Sequence, residues 1–141
     1  MAPEHCLGSL MSIANVDKSI KVLVVDDYAL TRDMVKSILR QLGFANIVGV
    51  EDGVMALQAL RDEKFGLVIC DWNMPRLSGL AVLRDLRTGD RNKDVPFLML
   101  TAEAYRENIV EAMKAGVSDY VVKPFTSAVL SEKIGLVLSK K

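Results

Sequence analysis

The sequence predicts an α/β fold in which a five-stranded parallel sheet, in the order 2-1-3-4-5, carries helices on both faces. Five short apolar runs alternate with five amphipathic stretches, a pattern typical of strand–helix–strand units. The apolar runs lack polar alternation, which indicates that both faces of each strand are covered. At 141 residues, the chain is long enough for one such domain and too short for two ordinary ones.

The predicted strands are short and rich in Val, Ile and Leu. The segments KVLVV and FLML are almost entirely apolar, as expected for buried parallel strands. The five predicted strands are Lys21–Val25, Asn46–Val50, Leu67–Cys70, Phe97–Leu100 and Tyr120–Val122.

A helix is predicted after each strand, from apolar residues at helical spacing and from signals at the helix ends. In the first helix Ile38 and Leu42 share a face, and Gly43 follows as a stop signal. The five predicted helices are Ala29–Leu42, Val54–Arg61, Leu80–Leu86, Ala104–Ala115 and Val129–Leu138. This set of elements fits a flavodoxin-like, doubly wound (βα)5 sandwich with right-handed crossovers.

Composition and charge argue against several classes of function. Lys and Arg total 18, as do Asp and Glu, so the formal net charge is zero; generic binding to nucleic acid or anionic membrane is not expected. No apolar run approaches the roughly 20 residues of a membrane-spanning helix. Cys6 and Cys70 are too few for a disulfide framework or a cysteine metal cluster. They indicate a reducing compartment, and we expect a cytoplasmic protein.

The N-terminal segment differs from the rest of the chain. Residues 1–18 show no clear hydrophobic periodicity, so we interpret them as a flexible leader and assign them no function. The periodic pattern begins at about Ile20, and residues 19–141 form the predicted domain.

Four of the five predicted strands end in polar side chains. Asp26 and Asp27 follow the first strand, Asp71 the third, Thr101 the fourth and Lys123 the fifth. Because the carboxyl ends of parallel strands meet at one edge of the sheet, we expect these side chains to converge near the switch point between strands 1 and 3. Three carboxylates would repel each other there, and Mg²⁺, which prefers oxygen ligands, would relieve the repulsion.

Lys123 and Thr101 add a positive charge and a hydroxyl donor beside the predicted metal. Together with Mg²⁺ they would stabilise a phosphoryl group, and a carboxylate acting as nucleophile would form an aspartyl phosphate. Asp71 is the best candidate because it stands centrally, at the end of the third strand. Each residue also has a simpler interpretation: a helix cap for the Asp pair and Thr101, a turn for Asp71, and a solvated surface position for Lys123.

Four segments carry a resemblance to a known family. VLVVDD, CDWNMP, TAEA and YVVKPF resemble the receiver domain of response regulators, and the resemblance runs from about Lys18 to the C-terminus. Within that family, DWNMP and VVKPFT are most similar to the stand-alone chemotaxis regulators.

The resemblance implies roles for the residues at the strand ends. Asp71 is similar to the phospho-acceptor, and Lys123 to the lysine that pairs with it and then with the phosphoryl oxygens. Asp26, Asp27 and Asp71 are similar to the side chains that bind Mg²⁺, with the backbone carbonyl of Asn73 as a further ligand.

The resemblance also implies a switch and its tuning. Thr101 is similar to the hydroxyl that moves to the phosphate, and Tyr120 to the aromatic ring that turns inward when it moves. Asn73 and Glu103 match side chains that tune dephosphorylation. The Lys123–Pro124 bond is expected to be cis.

The fourth helix has two interpretations. Tyr105, Ile109, Ala112 and Met113 share one helical face, and from the pattern alone we favour a core stripe. The resemblance instead implies an exposed output face, which binds a flagellar motor switch protein. The partner contacts that it implies are Ile109, Met113, Tyr120, Val122 and Lys133. Tyr105-Arg106 stands where two lysines are expected, which weakens the inference about the partner but not about the acceptor.

The function expected from these features is that of a stand-alone chemotaxis regulator rather than an enzyme. A chemotaxis histidine kinase would phosphorylate it, a dedicated phosphatase could serve it, and Mg²⁺ would support its intrinsic autophosphorylation and autodephosphorylation. It would act as a monomer on the flagellar motor switch. The alternative is a phosphorelay or phosphate-sink receiver with another partner.

Two functions from other classes fit the sequence less well. A phosphatase of the haloacid-dehalogenase type needs a second Asp as general acid two residues after the nucleophile, where this chain has Asn73. A nucleotide or flavin binder is disfavoured because the chain has no G-x-x-x-x-G-K-[ST] loop.

Overall fold

The computed structural model describes residues 16–102 and 105–139, and these form five alternating strands and helices. The strands are β1 (Lys21–Val25), β2 (Asn46–Val50), β3 (Leu67–Asp71), β4 (Phe97–Thr101) and β5 (Asp119–Val122). The helices are α1 (Ala29–Gln41), α2 (Gly53–Asp62), α3 (Gly79–Thr88), α4 (Arg106–Lys114) and α5 (Ser127–Ser139). Residues 1–15 of the proposed leader, Cys6 among them, lie outside the described residues.

All five strands are parallel and stand in the order β2-β1-β3-β4-β5, which confirms the predicted topology. The register places Val25 opposite Cys70 in β3, and Asp71 opposite Leu100 in β4. Thr101 is paired with Val122. The carboxyl ends of β1, β3, β4 and β5 therefore lie side by side at one edge.

Two apolar layers cover the sheet. On one face, α1 and α5 pack against Val22 and Val24 of β1 through a buried cluster that includes Leu39 and Ile134. On the other face, α2, α3 and α4 cover alternate residues of the same strands, such as Leu23. Because both faces are covered, the strands are apolar throughout, as their sequences indicate.

Side chains cap the first turn of three of the five described helices. The side chains of Asp52 and Ser78 cap α2 and α3 by accepting the N–H groups of Met55 and Ala81. Thr126 Oγ1 accepts the N–H of Val129 at the start of α5. The Lys123–Pro124 bond is cis, which confirms that prediction.

Helix α4 departs from the pattern-based prediction in two ways. It begins at Arg106 rather than Ala104, because Tyr105 has extended backbone angles and precedes the first helical residue. Its apolar stripe is not a core stripe: only Ala112 is buried, whereas Tyr105 and Met113 are 60% and 59% exposed. The core interpretation is therefore wrong, and α4 presents an apolar surface to solvent.

No helix in the described part of the chain is both long enough and apolar enough to cross a membrane.

Candidate functional site

The polar residues predicted at the strand ends do converge. Asp26 follows β1 directly and is fully buried, while Asp71 and Thr101 are the last residues of β3 and β4 and are also buried. Lys123 follows β5 and reaches the same place. Asp27, next to Asp26, is exposed at the rim. The site is built by the sheet itself, and four strands position its side chains.

Three carboxylates lie at the centre of this edge. One oxygen from each of Asp26, Asp27 and Asp71 lies within 4.8 Å of the other two. Oδ1 of Asp26 also accepts the N–H of Tyr28 at 2.9 Å, and the Arg32 guanidinium donates to the Asp26 backbone carbonyl at 2.8 Å. The Asp26 carboxylate is thus held in place, but its charge has little solvent to stabilise it.

Lys123 connects the two buried carboxylates. Its Nζ lies 3.1 Å from Asp26 Oδ2 and 3.0 Å from Asp71 Oδ1. Burial alone would lower the pKa of Lys123, but the hydrogen bonds to Asp71 and Asp26 outweigh it, so this pKa lies above its ordinary value. Lys123 is therefore an ammonium at neutral pH, and one positive charge faces three carboxylates.

The pKa of Asp71 is raised above its ordinary value. Burial is the main cause, and the carboxylates of Asp26 and Asp27 add to it, while the hydrogen bond and charge of Lys123 oppose it. The ionised Asp71 is thus poorly solvated and repelled by its neighbours. This makes it a carboxylate that gains stability when a cation or an electrophile reaches it.

The structure does not support the simpler interpretations of the Asp pair, Thr101 and Lys123. Residue Tyr28, not Asp26 or Asp27, stands at the cap position of α1, and no side chain caps that helix. Tyr105, and not Thr101, occupies the cap position of α4. Lys123 is half-buried and bonded to two carboxylates rather than solvated.

The donor set fits a hard divalent cation. Three carboxylate oxygens in close proximity, with one ammonium beside them, leave negative charge that Mg²⁺ would neutralise, and Mg²⁺ takes oxygen ligands. Asn73, whose backbone carbonyl is the further predicted ligand to Mg²⁺, is an exposed residue in the loop between β3 and α3. Glu103, predicted to tune dephosphorylation, lies outside the described residues.

Gly79 is not among the predicted site residues, but it supports the site. It is buried at the start of α3, where its N–H donates to the Trp72 carbonyl at 2.8 Å. A Cβ at this position would collide with the Asp71 carbonyl and approach Met99 Sδ. The missing side chain therefore lets the loop after Asp71 fold back onto the end of β3. The signal available was the Gly itself, eight residues beyond Asp71.

Cys70 is a buried free thiol beside Asp71. Burial is the main reason that its pKa is well above the ordinary value, and the carboxylates of Asp71 and Asp26 raise it further. A thiol in this environment stays protonated and behaves as a small apolar side chain.

The predicted partner face lies beside the site, on α4, β5 and α5. Met113 and Val122 are exposed, while Ile109 and Tyr120 are half-buried, and Tyr120 packs against the core. Lys133 is bonded to Asp119. Exposed apolar side chains at this face are compatible with a docking surface.

Comparison with known families agrees with this geometry. The response regulator receiver domain model matches residues 22–135. The chain belongs to the response-regulator receiver family. Receiver domains are signalling switches rather than conventional enzymes.

Two relatives place this receiver among chemotaxis proteins. The chemotaxis protein CheY-3 of Vibrio cholerae serotype O1 is 45% identical over 127 residues, which are 90% of this chain and 98% of the relative. The chemotaxis protein CheY of Pseudomonas aeruginosa is 49% identical over 115 residues, or 82% of this chain and 93% of the relative. This receiver is therefore a CheY-like chemotaxis response regulator domain, part of a two-component system.

A solved structure shows the same fold with a metal. The receiver domain of a sensor histidine kinase from Pseudomonas aeruginosa, crystallised with a magnesium ion in its active-site cleft, aligns with a TM-score of 0.77 and 27% identity. The alignment covers 87% of this chain and 99% of that domain. Receiver domains bind Mg²⁺ in an acidic site, and the described part of this chain has such a cluster of Asp residues.

Proposed function

We propose that Asp71 is the phospho-acceptor of this receiver and that its phosphorylation controls docking to the flagellar motor switch. The observation that carries the proposal is the charge imbalance at the sheet edge. Asp71 is buried beside two further carboxylates and receives only a share of one ammonium, from Lys123. A phosphoryl group with its cation would complete such a site.

The donor would be a phosphohistidine on a chemotaxis histidine kinase. One Asp71 carboxylate oxygen attacks the phosphorus, a P–O bond forms as the P–N bond breaks, and the leaving imidazole takes up one proton from solvent. Lys123 Nζ lies 3.0 Å from the attacking carboxylate of Asp71, and its ammonium would stabilise the phosphoryl oxygens. Asp26 keeps this ammonium oriented through its own hydrogen bond.

Asp26, Asp27 and Asp71, with the carbonyl of Asn73, are the residues that would hold Mg²⁺. When bound, Mg²⁺ would neutralise charge on the phosphoryl oxygens and so support both phosphorylation and hydrolysis. Within this chain, Asp26 and Asp27 would provide the fixed negative charge for the cation, and Asn73 and Glu103 would tune the access of water to the phosphate.

Output would pass through Thr101 and Tyr120. Thr101 ends β4 beside Asp71, and Tyr120 lies on the adjacent strand β5. A phosphoryl oxygen would offer the Thr101 hydroxyl a charge-assisted partner, its movement would open space for the Tyr120 ring, and the surface near Ile109 and Met113 would change. We expect this to be a population shift rather than an all-or-none change.

The phosphorylation proposal is tested with acetyl phosphate and Mg²⁺, without a kinase. We expect mass spectrometry to locate one phosphoryl group on Asp71 and none on the Asp71→Asn variant. The matched control is Asp90→Asn, which removes an exposed carboxylate at the other edge of the sheet and is expected to leave phosphorylation intact. Full phosphorylation of Asp71→Asn at another residue would contradict the assignment.

The docking proposal is tested with the N-terminal peptide of a motor switch protein, titrated with and without beryllofluoride as a phosphoryl mimic. We expect a gain in affinity of about five- to 150-fold on activation, the usual range of allosteric coupling. Thr101→Ala should lose most of the gain, whereas Ile109→Arg should lose binding in both states. Equal affinity of the unmodified protein in both states would refute motor docking and favour the phosphorelay or phosphate-sink alternative.

A further inference from the structure

Asp119 accepts two hydrogen bonds, one from Tyr120 and one from Lys133. Its Oδ1 accepts the backbone N–H of Tyr120 at 2.8 Å, and its Oδ2 accepts the Lys133 ammonium at 3.0 Å. Asp119 is the first residue of β5 and Lys133 lies in the middle of α5. The carboxylate therefore connects the strand that carries Tyr120 to the helix packed beside it.

The Lys133 ammonium also lies over the Tyr120 ring. Its Nζ lies 5.7 Å from the ring centroid, within the range of a cation–π interaction. The side chains of Lys133 and Asp119 are 32% and 19% exposed, so solvent and salt screen this pair only in part. The ring thus has a cation above it, and that cation is anchored by the residue that precedes the ring in the sequence.

We propose that Asp119 and Lys133 form a latch, in which they act as positioning residues that hold the Tyr120 ring and set its switching equilibrium. The inference rests on the proposed function, because that proposal makes Tyr120 the moving ring. When the ring leaves its present position it loses the Lys133 cation, so the latch opposes the swing. Without Asp119, Lys133 has no anchor and the opposition weakens.

The latch also bears on partner recognition. Lys133 is engaged by Asp119 in the unphosphorylated protein, so a partner's carboxylate must compete with Asp119 for this ammonium. Movement of the Tyr120 ring removes one of the two contacts of Lys133 and makes that exchange easier. The latch therefore links the position of Tyr120 to the availability of a positive charge on the output face.

The chain contains a matched triad that is far from the switch. Lys21 pairs with Glu63 at 2.7 Å, and its Nζ lies 6.0 Å from the centroid of the Phe65 ring. These residues are at the amino-terminal edge of the sheet, where β1 begins and α2 ends. Here too a lysine pairs with a carboxylate and lies over an aromatic ring, but far from Tyr120. Lys21→Met is therefore a control for the loss of a lysine that covers an aromatic ring.

The experiment is ¹⁹F NMR of the full chain labelled with 3-fluorotyrosine. The chain has three tyrosines, and Tyr28→Phe and Tyr105→Phe assign the resonance of Tyr120. Spectra are recorded with and without Mg²⁺ and beryllofluoride for the wild type, Asp119→Asn, Lys133→Met, the double variant and Lys133→Arg.

In the wild type, activation should move the Tyr120 resonance. Without activation, Asp119→Asn and Lys133→Met should each move it toward the activated position, with a change of about two- to fivefold in the switching equilibrium, as expected for a partly exposed cation–π contact. The double variant should add little to either single change. Lys133→Arg should restore the wild-type position, and Lys21→Met should leave it unchanged.

The outcomes separate the two proposals. If activation moves the wild-type resonance but the latch variants coincide with the wild type before activation, the latch is refuted and the switch stands. If activation does not move the wild-type resonance, the proposed role of Tyr120 fails, and the latch fails with it. A response of Lys21→Met equal to that of Lys133→Met would also refute the latch.

Discussion

Both edges of the sheet bury polar groups, but the hydrogen bonds and charges of those groups are balanced at only one edge. At the amino-terminal edge, the buried Asn92 accepts the Phe65 N–H at 2.8 Å and donates to the carbonyls of Leu60 and Glu63 at 2.6 and 2.8 Å. At the carboxyl-terminal edge, Asp26 and Asp71 share one ammonium. The first network is complete within the chain and the second has excess negative charge.

This difference distinguishes polar residues that stabilise the fold from polar residues that are suited to bind a ligand. An amide whose hydrogen bonds are all satisfied holds two loops together without needing anything from solution. Clustered carboxylates with too little positive charge destabilise the empty fold and gain stability when a cation binds. Complete hydrogen bonding at one edge and incomplete charge balance at the other therefore predict opposite responses to mutation.

The largest expected effect on stability is at Asn92. Asn92→Ala removes the partner of one buried N–H and of two carbonyls, and each buried group left unpaired costs about 1–3 kcal/mol. Allowing for partial access of water, we expect a loss of about 2–4 kcal/mol in the free energy of unfolding, measured by urea denaturation. Phosphorylation of Asp71 by acetyl phosphate should be unchanged under conditions in which the variant is folded.

Asp90→Ala is the control for this prediction, because Asp90 is exposed in the same loop region and should cost at most about 0.5 kcal/mol. A loss at Asn92 no greater than that at Asp90 would show that the satisfied amide does not stabilise this edge.

A smaller effect of opposite sign is expected at Asp71. Its pKa is raised in the folded protein, mainly by burial and then by the carboxylates of Asp26 and Asp27, against the opposing effect of Lys123. The folded state therefore binds this proton more tightly than the unfolded state, and ionisation of Asp71 lowers stability as the pH rises from the ordinary value of 3.8 through the raised pKa. Asp71→Asn cannot ionise and should be more stable than the wild type at neutral pH.

The stability difference between Asp71→Asn and the wild type should shrink as the pH falls through the raised pKa toward 3.8. Urea denaturation without Mg²⁺ at a series of pH values measures it. Asp62→Asn, which removes an exposed carboxylate at the other edge, is the control for a general effect of charge removal. A variant less stable than the wild type at neutral pH would mean that the Lys123 hydrogen bond outweighs burial and repulsion.

The sequence predicted the carboxyl-terminal edge more completely than the rest of the molecule. Asp26, Asp71, Thr101 and Lys123 could be placed because each directly follows or ends an apolar strand, and parallel strands deliver their ends to one edge. The strand order also followed from the alternation of short strands with helices.

Contacts between distant loops and elements could not be predicted in the same way. Asn92 bonds to residues about thirty positions earlier in the chain, and Lys133 bonds to Asp119 from a different element. Neither contact has a periodic signal, because loops and strand–helix pairs have no fixed spacing. The pattern of α4 alone could not show that its apolar stripe is exposed, since an apolar helical face has the same spacing whether it covers a core or a partner.

The most direct test of the contrast between the two edges is a Mg²⁺ titration followed by the fluorescence of Trp72, which adjoins Asp71. Wild type, Asp26→Asn and Asn92→Ala are compared under conditions in which all three are folded. We predict that Asp26→Asn weakens Mg²⁺ binding by at least about tenfold, or ~1.4 kcal/mol, and that Asn92→Ala binds as the wild type does. Unchanged affinity in Asp26→Asn, or an equal loss in both variants, would contradict the assignment of the unbalanced edge as the metal and phosphoryl site.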